Sequence, residues 1–276
     1  MQDQFEIGEG FTMTIKLVAT DMDGTFLTDD KHFDKERFGR VYDYMIQNKI
    51  QFVSASGNQY RQLRNFFKDF PQTLFVAENG ALVGSHDKIF RTDVFDDELT
   101  QKTIKILNSL PDIQTVFSGQ KSAYVLDTAT PEFFKMSNFY FPEIKSVTDL
   151  ATINDKVLKF SLSCPPTETE AYMDKLANLI GPEVSIVTSG HGDIDVIRAD
   201  VNKATGLKYL SELLNIKPEE MCAFGDGGND LEMLRYVGHG VAMKNASEIV
   251  HQTAKYETVD NNQQGVIQHL EEMFEL

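Results

Sequence analysis

The sequence predicts an α/β fold, a parallel doubly wound sheet interrupted by an inserted α+β cap, and three observations predict it. Short apolar runs alternate with amphipathic helical stretches over residues 14–81, the βαβ pattern of a parallel sheet. The same alternation returns over residues 202–254. One run in each half ends in a turn rich in Asp and Gly, DMDGT at 21–25 and GDGGND at 225–230.

The first run, TIKLVAT at 14–20, is rich in β-branched residues and stops at an acidic turn, as a buried parallel strand does. A helix is expected over 34–48, where Phe38, Val41, Tyr42, Met45 and Ile46 share one face. IQFVSAS at 50–56 is a second strand and 59–69 a second helix. TLFVAENGA at 73–81 is a third strand running into a loop. Between 86 and 188 the pattern changes. Strands are expected at QTVFSG, SAYVLD, VLKFSLSC and VSIVTS, with helices at 96–110, 131–140 and 167–180. A helix at 202–215 then leads to the strand MCAFG, a helix begins at LEMLRYV, GHGVAM reads as a strand and ASEIVHQTA as a helix. Residues 13–85 and 189–276 are thus expected to form a Rossmann-like core and 86–188 the cap. Residues 1–12 read as an extension or a remnant of cloning, with Met13 as a native start.

Composition narrows the function. The chain has 276 residues, 41% hydrophobic and 25% charged, and a formal net charge of −16. Duplex nucleic acid requires a basic face, so it is an unexpected partner. No apolar run reaches the roughly 20 residues that span a bilayer. The N-terminus lacks the basic start and apolar stretch of a signal peptide. Cys164 and Cys222 have no metal-type spacing and suit a reducing, cytoplasmic compartment; Cys222, inside MCAF, is expected in the core. No obligate protein partner is evident.

The chemistry concentrates at strand ends, where open parallel sheets bind ligands. Asp21 and Asp23, two residues apart, point the same way. Their like charges call for a cation, and hard oxygen ligands select Mg2+. Gly24 permits the sharp turn. Alone, this motif also fits a plain turn or a calcium loop, although Phe26 and Leu27 do not continue a calcium loop. Asp226, Asn229 and Asp230 sit at a second strand end. That loop could be a surface turn, but if the two strands are neighbours Asp226 completes a metal site begun by Asp21. Ser56, Gly57 and Asn58, at a helix entrance, suit phosphate oxygens or simply cap the helix. Lys203 opens a helix, where a lysine is usually solvated. Asn79, after the third strand, could contact substrate. His191, Asn261 and Asn262 are weaker candidates.

In the order DxDGT, Ser-Gly, Lys, GDxxND, with an insertion between the second and third, the sequence resembles the haloacid dehalogenase superfamily. The segments DMDGTFL, FVSASGNQY, FVAENGALV, QKSAYV, KFSL, VTSG, GDGGND and NNQQG are similar to those of Cof-type phosphatases, in particular to their bacterial sugar phosphatases. The likeness covers residues 13–276. It implies a core with a C2B-type α/β cap and Mg2+-dependent hydrolysis of a small phosphate ester, such as a hexose or pentose phosphate. It implies Asp21 as nucleophile and Asp23 as general acid and base. It implies Mg2+ on the Asp21 carboxylate, the Asp23 carbonyl and Asp226. Ser56 and Gly57 would hold the phosphoryl oxygens, Lys203 would neutralise charge beside Asp21, and Asn229 and Asp230 would support the site. Asn58 stands where many relatives have Arg, and Gly227 where Asn is frequent. Two other readings use the same phospho-aspartate chemistry, a receiver-like signalling module and a phosphomutase. Asp23 and the large insert disfavour the receiver.

Overall fold

The structure, a computed structural model, describes residues 15–276 except 111, 143 and 191; the expectations for residues 1–12, Met13 and His191 lie outside the described residues. The chain opens with β1 (Leu17–Thr20), α1 (Lys35–Gln47), β2 (Gln51–Ala55), α2 (Tyr60–Phe66) and β3 (Leu74–Ala77). The three strands pair in parallel, with Val18 opposite Phe52 and Val53 opposite Leu74. An antiparallel extension follows, β4 (Leu82–Gly84) and β5 (Ile89–Thr92). The insertion holds α3 (Asp97–Leu107), β6 (Gln114–Gly119), β7 (Ala123–Leu126), α4 (Pro131–Tyr140), β8 (Lys145–Val147), β9 (Val157–Ser163), α5 (Thr169–Ile180), β10 (Val184–Gly190) and β11 (Asp193–Arg198). The chain then returns through α6 (Lys203–Leu214), β12 (Met221–Gly225), α7 (Leu231–Tyr236), β13 (His239–Met243), α8 (Glu248–Thr253), β14 (Tyr256–Thr258) and α9 (Gly265–Phe274).

The core sheet runs β14-β13-β12-β1-β2-β3-β4-β5, and the cap sheet β10-β11-β9-β6-β7-β8. The strand order reverses at β1, which pairs with β2 on one side and β12 on the other. Both expected boundaries fall inside a sheet. Continuing the core past residue 85 brings in β5, and the cap sheet extends past 188 to Arg198 because β11 pairs with β9 and β10.

Strand alternation sorts the core into two apolar layers. Val18, Phe52, Phe75, Cys222, Phe224 and Val241 face one side, where α1, α2 and α9 cover them. Leu17, Ala19, Val53, Val76, Ala223 and Ala242 face the other, under α6, α7 and α8. Helix α1 forms where the 3.6-residue spacing places Phe38, Val41, Tyr42 and Met45 inward, and Asp34 caps it by accepting from the Arg37 N–H at 2.9 Å. Residues between the two Asp of the first motif and just after it point down into this layer. Met22, Phe26 and Leu27 are buried, and the Phe26 ring lies 4.8 Å from Phe33 and 4.9 Å from Phe38. Burying a ring of this size contributes about 2–3 kcal/mol, so the loop is held from below while its polar residues face the strand ends.

The cap repeats the logic. Helices α3 and α5 cover one face of its sheet, packing on Phe117, Phe160 and Val196. On the opposite face α4 covers Val116 and Val125. The remainder of that face is polar: Lys159 and Ser161 on β9, and Asp193 and Asp195 on β11, look toward the core.

Candidate active site

Three neighbouring strands end at one place. Asp21 follows β1, Asp226 follows β12 and Ser56 follows β2, at the point where strand order reverses. The N–H of Asp21 donates to the carbonyl of Phe224 at 3.0 Å, locking the two acidic loops side by side. Carboxylate oxygens of Asp21, Asp226 and Asp230 lie within 4.8 Å of one another. Gly24 makes the approach possible. It has φ +77°, and a Cβ there would sit 2.4 Å from Asp226 Oδ2.

Lys203 enters this cluster from the first turn of α6. Its helix starts there because the Asn202 side chain accepts from the Thr205 N–H and the Thr205 hydroxyl side accepts from the Asn202 N–H. Nζ donates to Asp21 Oδ1 at 2.5 Å and to Asp230 Oδ1 at 2.6 Å, with the lysine 0% exposed. Burial alone would lower its pKa, but Asp21 and Asp230 together hold it above the ordinary lysine value. Burial pushes the Asp21 carboxyl well above the carboxylate range, opposed by Lys203. Burial, then Asp230, raise Asp226 to about 7. Asp226 also accepts from the Thr25 hydroxyl at 2.5 Å, and the other oxygen of Asp230 accepts from the N–H groups of Asp226 and Gly227, each at 3.0 Å.

Three carboxyl groups crowd one ammonium in a site lined by oxygen donors. That donor set fits a small hard dication.

The remaining expected residues take distinct places. The Asp23 side chain turns from the acidic cluster; Lys31 Nζ reaches one oxygen at 2.6 Å and Asn58 Nδ2 the other at 2.8 Å. Ser56, Gly57, Asn58 and Asn229 line a cavity of about 390 Å3 between core and cap, with Asp21, Asp23 and Asp226 at its base. Asn79 does not line that cavity. It lies behind the wall, 1% exposed, bonded to Asn229 and to Asp195. Asn261 and Asn262 bond to Asp29, and the Asn261 amide also reaches the Leu27 carbonyl, so they brace the first loop from its far side.

Several residues that build the site carried no expected role. Lys159, 4% exposed, donates to Asp195 at 2.8 Å, and Ser161 donates to the same carboxylate at 2.6 Å. Lys31 touches both Asp23 and the Tyr140 hydroxyl of the cap. Asn245 donates to the Gly24 carbonyl at 2.7 Å. A lysine set among Val157, Leu158, Phe160 and Leu162 is the one signal that could have revealed Lys159.

Comparison with known proteins places this geometry. The haloacid dehalogenase-like hydrolase family matches residues 18–270. The chain is 39% identical over 260 residues to the 5-amino-6-(5-phospho-D-ribitylamino)uracil phosphatase YbjI of Escherichia coli (strain K12), covering 92% of this chain and 94% of that protein. The solved structure of SMU.1108c from Streptococcus mutans UA159 superposes with a TM-score of 0.91 at 31% identity, over 95% of this chain and 100% of that one. The sugar phosphatase BT4131, of subclass IIB, shares the fold at a TM-score of 0.81 and 20% identity, over 93% of this chain and 98% of its own. The relatives are enzymes, which sets aside the signalling-module alternative. Among the described residues no helix is long and apolar enough to cross a membrane. The chain belongs to the haloacid dehalogenase-like hydrolases and is a Cof-type phosphatase of that family.

Proposed function

We propose that the protein hydrolyses a phosphorylated sugar or polyol in a Mg2+-dependent reaction through an aspartyl-phosphate, the acyl phosphate of Asp21. The observation that carries this reading is the meeting of Asp21, Asp226, Asp230 and Lys203 beneath a cavity closed by the cap.

Asp21 is the nucleophile, its Oδ1 held in place by Lys203. Asp23, fixed by Lys31 and Asn58, gives a proton to the leaving oxygen and then takes one from the attacking water. Ser56, the Gly57 N–H and Asn58 hold the phosphoryl oxygens, with Asn229 at the other rim. Lys203 neutralises charge beside the transferred group while Asp230 anchors the lysine. The Asp21 and Asp226 carboxylates and the Asp23 carbonyl would hold Mg2+, which when bound offsets the negative charge of the phosphoryl group. The cap excludes bulk water.

Two features support a polyol. The cap-side wall offers hydroxyl-binding groups, Lys159, Ser161 and Asp195, next to the rings of Phe133, Tyr140 and Phe141. The ribitylaminouracil phosphate named for the Escherichia coli relative also combines a polyol chain with a ring. The test is phosphate release from hexose phosphates, pentose phosphates and ribitylaminouracil phosphate, with Mg2+ and with chelator. Release should require Mg2+ and fall at least about a thousandfold in Asp21→Asn. Undiminished release by that variant would sink the reading. Isomerised sugar phosphate in place of inorganic phosphate would identify a phosphomutase.

A further inference from the structure

Behind the phosphate site, residues Glu78, Asn79 and Gly80 form a turn in which all three have left-handed backbone, φ 52°, 55° and 104°. Left-handed geometry costs a non-glycine residue about 1–2 kcal/mol, so two successive cases, both buried, mark a conformation imposed by the surroundings. Those surroundings include the phosphate loop, the start of α6, the Asp226 loop and the cap. The Glu78 N–H donates to the Asn58 carbonyl at 3.1 Å and the Asn79 N–H to the Ser56 carbonyl at 3.0 Å, so the turn fixes the phosphate loop. Gly80 lies against the backbone of Asn202, the cap residue of the helix that begins at Lys203; an added Cβ would stand 2.1 Å from the Asn202 carbonyl oxygen. The Asn79 side chain then spans the molecule. Its Oδ1 accepts from Asn229 in the Asp226 loop at 3.1 Å, and its Nδ2 donates to Asp195 of the cap at 2.7 Å.

The polarity of this bridge is determined. Asp195 already accepts from Lys159 and Ser161, so the Asn79 amide turns its NH2 toward it. Oδ1 is left for Asn229. Glu78 adds a second tie to the cap, accepting from the Ser118 hydroxyl at 3.1 Å. At Gly57 an added Cβ would meet Asn79 Oδ1 at 3.2 Å and Asp195 Oδ2 at 3.3 Å, so the cap carboxylate rests on the phosphate loop.

We infer that Asn79 is a positioning residue that couples cap closure to the working geometry of the phosphate loop and the Asp226 loop. When the cap closes, Asp195 supplies the partner that orients the Asn79 amide, and the amide orients Asn229. When the cap leaves, that orientation is lost. This rests on the phosphatase reading for its kinetic consequence, but the contact itself belongs to the cap and the core alone.

The test sets like charges across the contact and then removes one. Asn79→Asp keeps the volume and sets two carboxylates against each other. Its kcat/KM for a hexose phosphate should fall about tenfold or more, and its radius of gyration in small-angle X-ray scattering should rise as the cap opens. Adding Asp195→Asn to Asn79→Asp removes the like-charge repulsion across the contact. The double variant should regain the compact form, whereas a purely structural lesion at residue 79 would leave it as open as Asn79→Asp; scattering is its readout, because Asp195 also accepts from Lys159 and Ser161 and lines the substrate cavity. Asn79→Ala, which removes the bridge without adding charge, is the second probe should Asn79→Asp fold poorly. The inference is overturned if Asn79→Asp and Asn79→Ala stay within about twofold of wild type in kcat/KM, or if the double variant is no more compact than Asn79→Asp. If wild-type protein releases phosphate from no ester, the phosphatase reading fails instead, and the scattering comparison still decides the cap contact because it needs no turnover.

Discussion

At the scale of single residues, Lys203 shows how a sequence can display a group without displaying its importance. Its position at a helix start reads as solvated, yet it is fully buried between Asp21 and Asp230. Asp21 and Asp226 were legible because acidic residues at strand ends have few structural uses. Lys159 and Asp195 were not, because each justifies the other's burial across 36 residues, and only folding brings them together. Lys203→Met should abolish turnover and lower stability by on the order of 3 kcal/mol, since removing one partner leaves buried charge uncompensated; urea unfolding measures it. Glu78 offers a pH test. Burial raises its pKa to about 7 from 4.5, so the native state favours the protonated form. Stability from this group is therefore present below pH 4.5 and is lost as pH rises toward 7. Glu78→Gln should be more stable than wild type at pH 8, by up to about 3 kcal/mol, and nearly equal to it at about pH 4, in urea unfolding at the two pH values.

At the scale of elements, the parallel strands β1, β2, β3 and β12 were readable because strands buried on both faces are continuous apolar runs. The helices of the cap were readable from their 3.6-residue spacing. Other features were not, among them the three-residue β8. The β4–β5 extension is short and carries exposed Ile89, so it has no clear alternation. Strand β11, DIDVIR, places acids on the face that looks into the cavity, which masks it as a loop. Strand β14 has only three residues, and α9 follows a turn whose Gln264 is left-handed. That last helix brings His269 against His239 of β13, with the Nε2 atoms 3.1 Å apart and Tyr256 stacked on His239. Burial, then His269, hold His239 at about 4, and burial lowers His269 too. Because the native state resists protonation here, this contact weakens as pH falls from 6.5 toward 4. The Tm of wild type should drop more between pH 7 and pH 5 than that of His239→Phe, as followed by circular dichroism.

At the scale of the whole molecule, 42 acidic residues against 26 basic ones give the chain its charge of −16, and part of that excess is gathered at the acidic cluster. Binding of a dication to the native state alone raises stability by about 2.7 kcal/mol at a hundred times its dissociation constant. Mg2+ should therefore raise the Tm of wild type in differential scanning calorimetry, and Asp226→Asn should lose that increment while keeping its fold. The arrangement that creates the cluster also governs how the chain is made. Because β1 pairs with β12, Leu17 must wait for Met221. During translation the first strands emerge with one edge bare while the whole insertion is threaded out behind them. At about 5–20 residues per second that interval lasts tens of seconds. A strand with one edge bare for so long is exposed to association with other nascent chains, so the adjacency that brings the acidic loops together also sets how long that edge stays open.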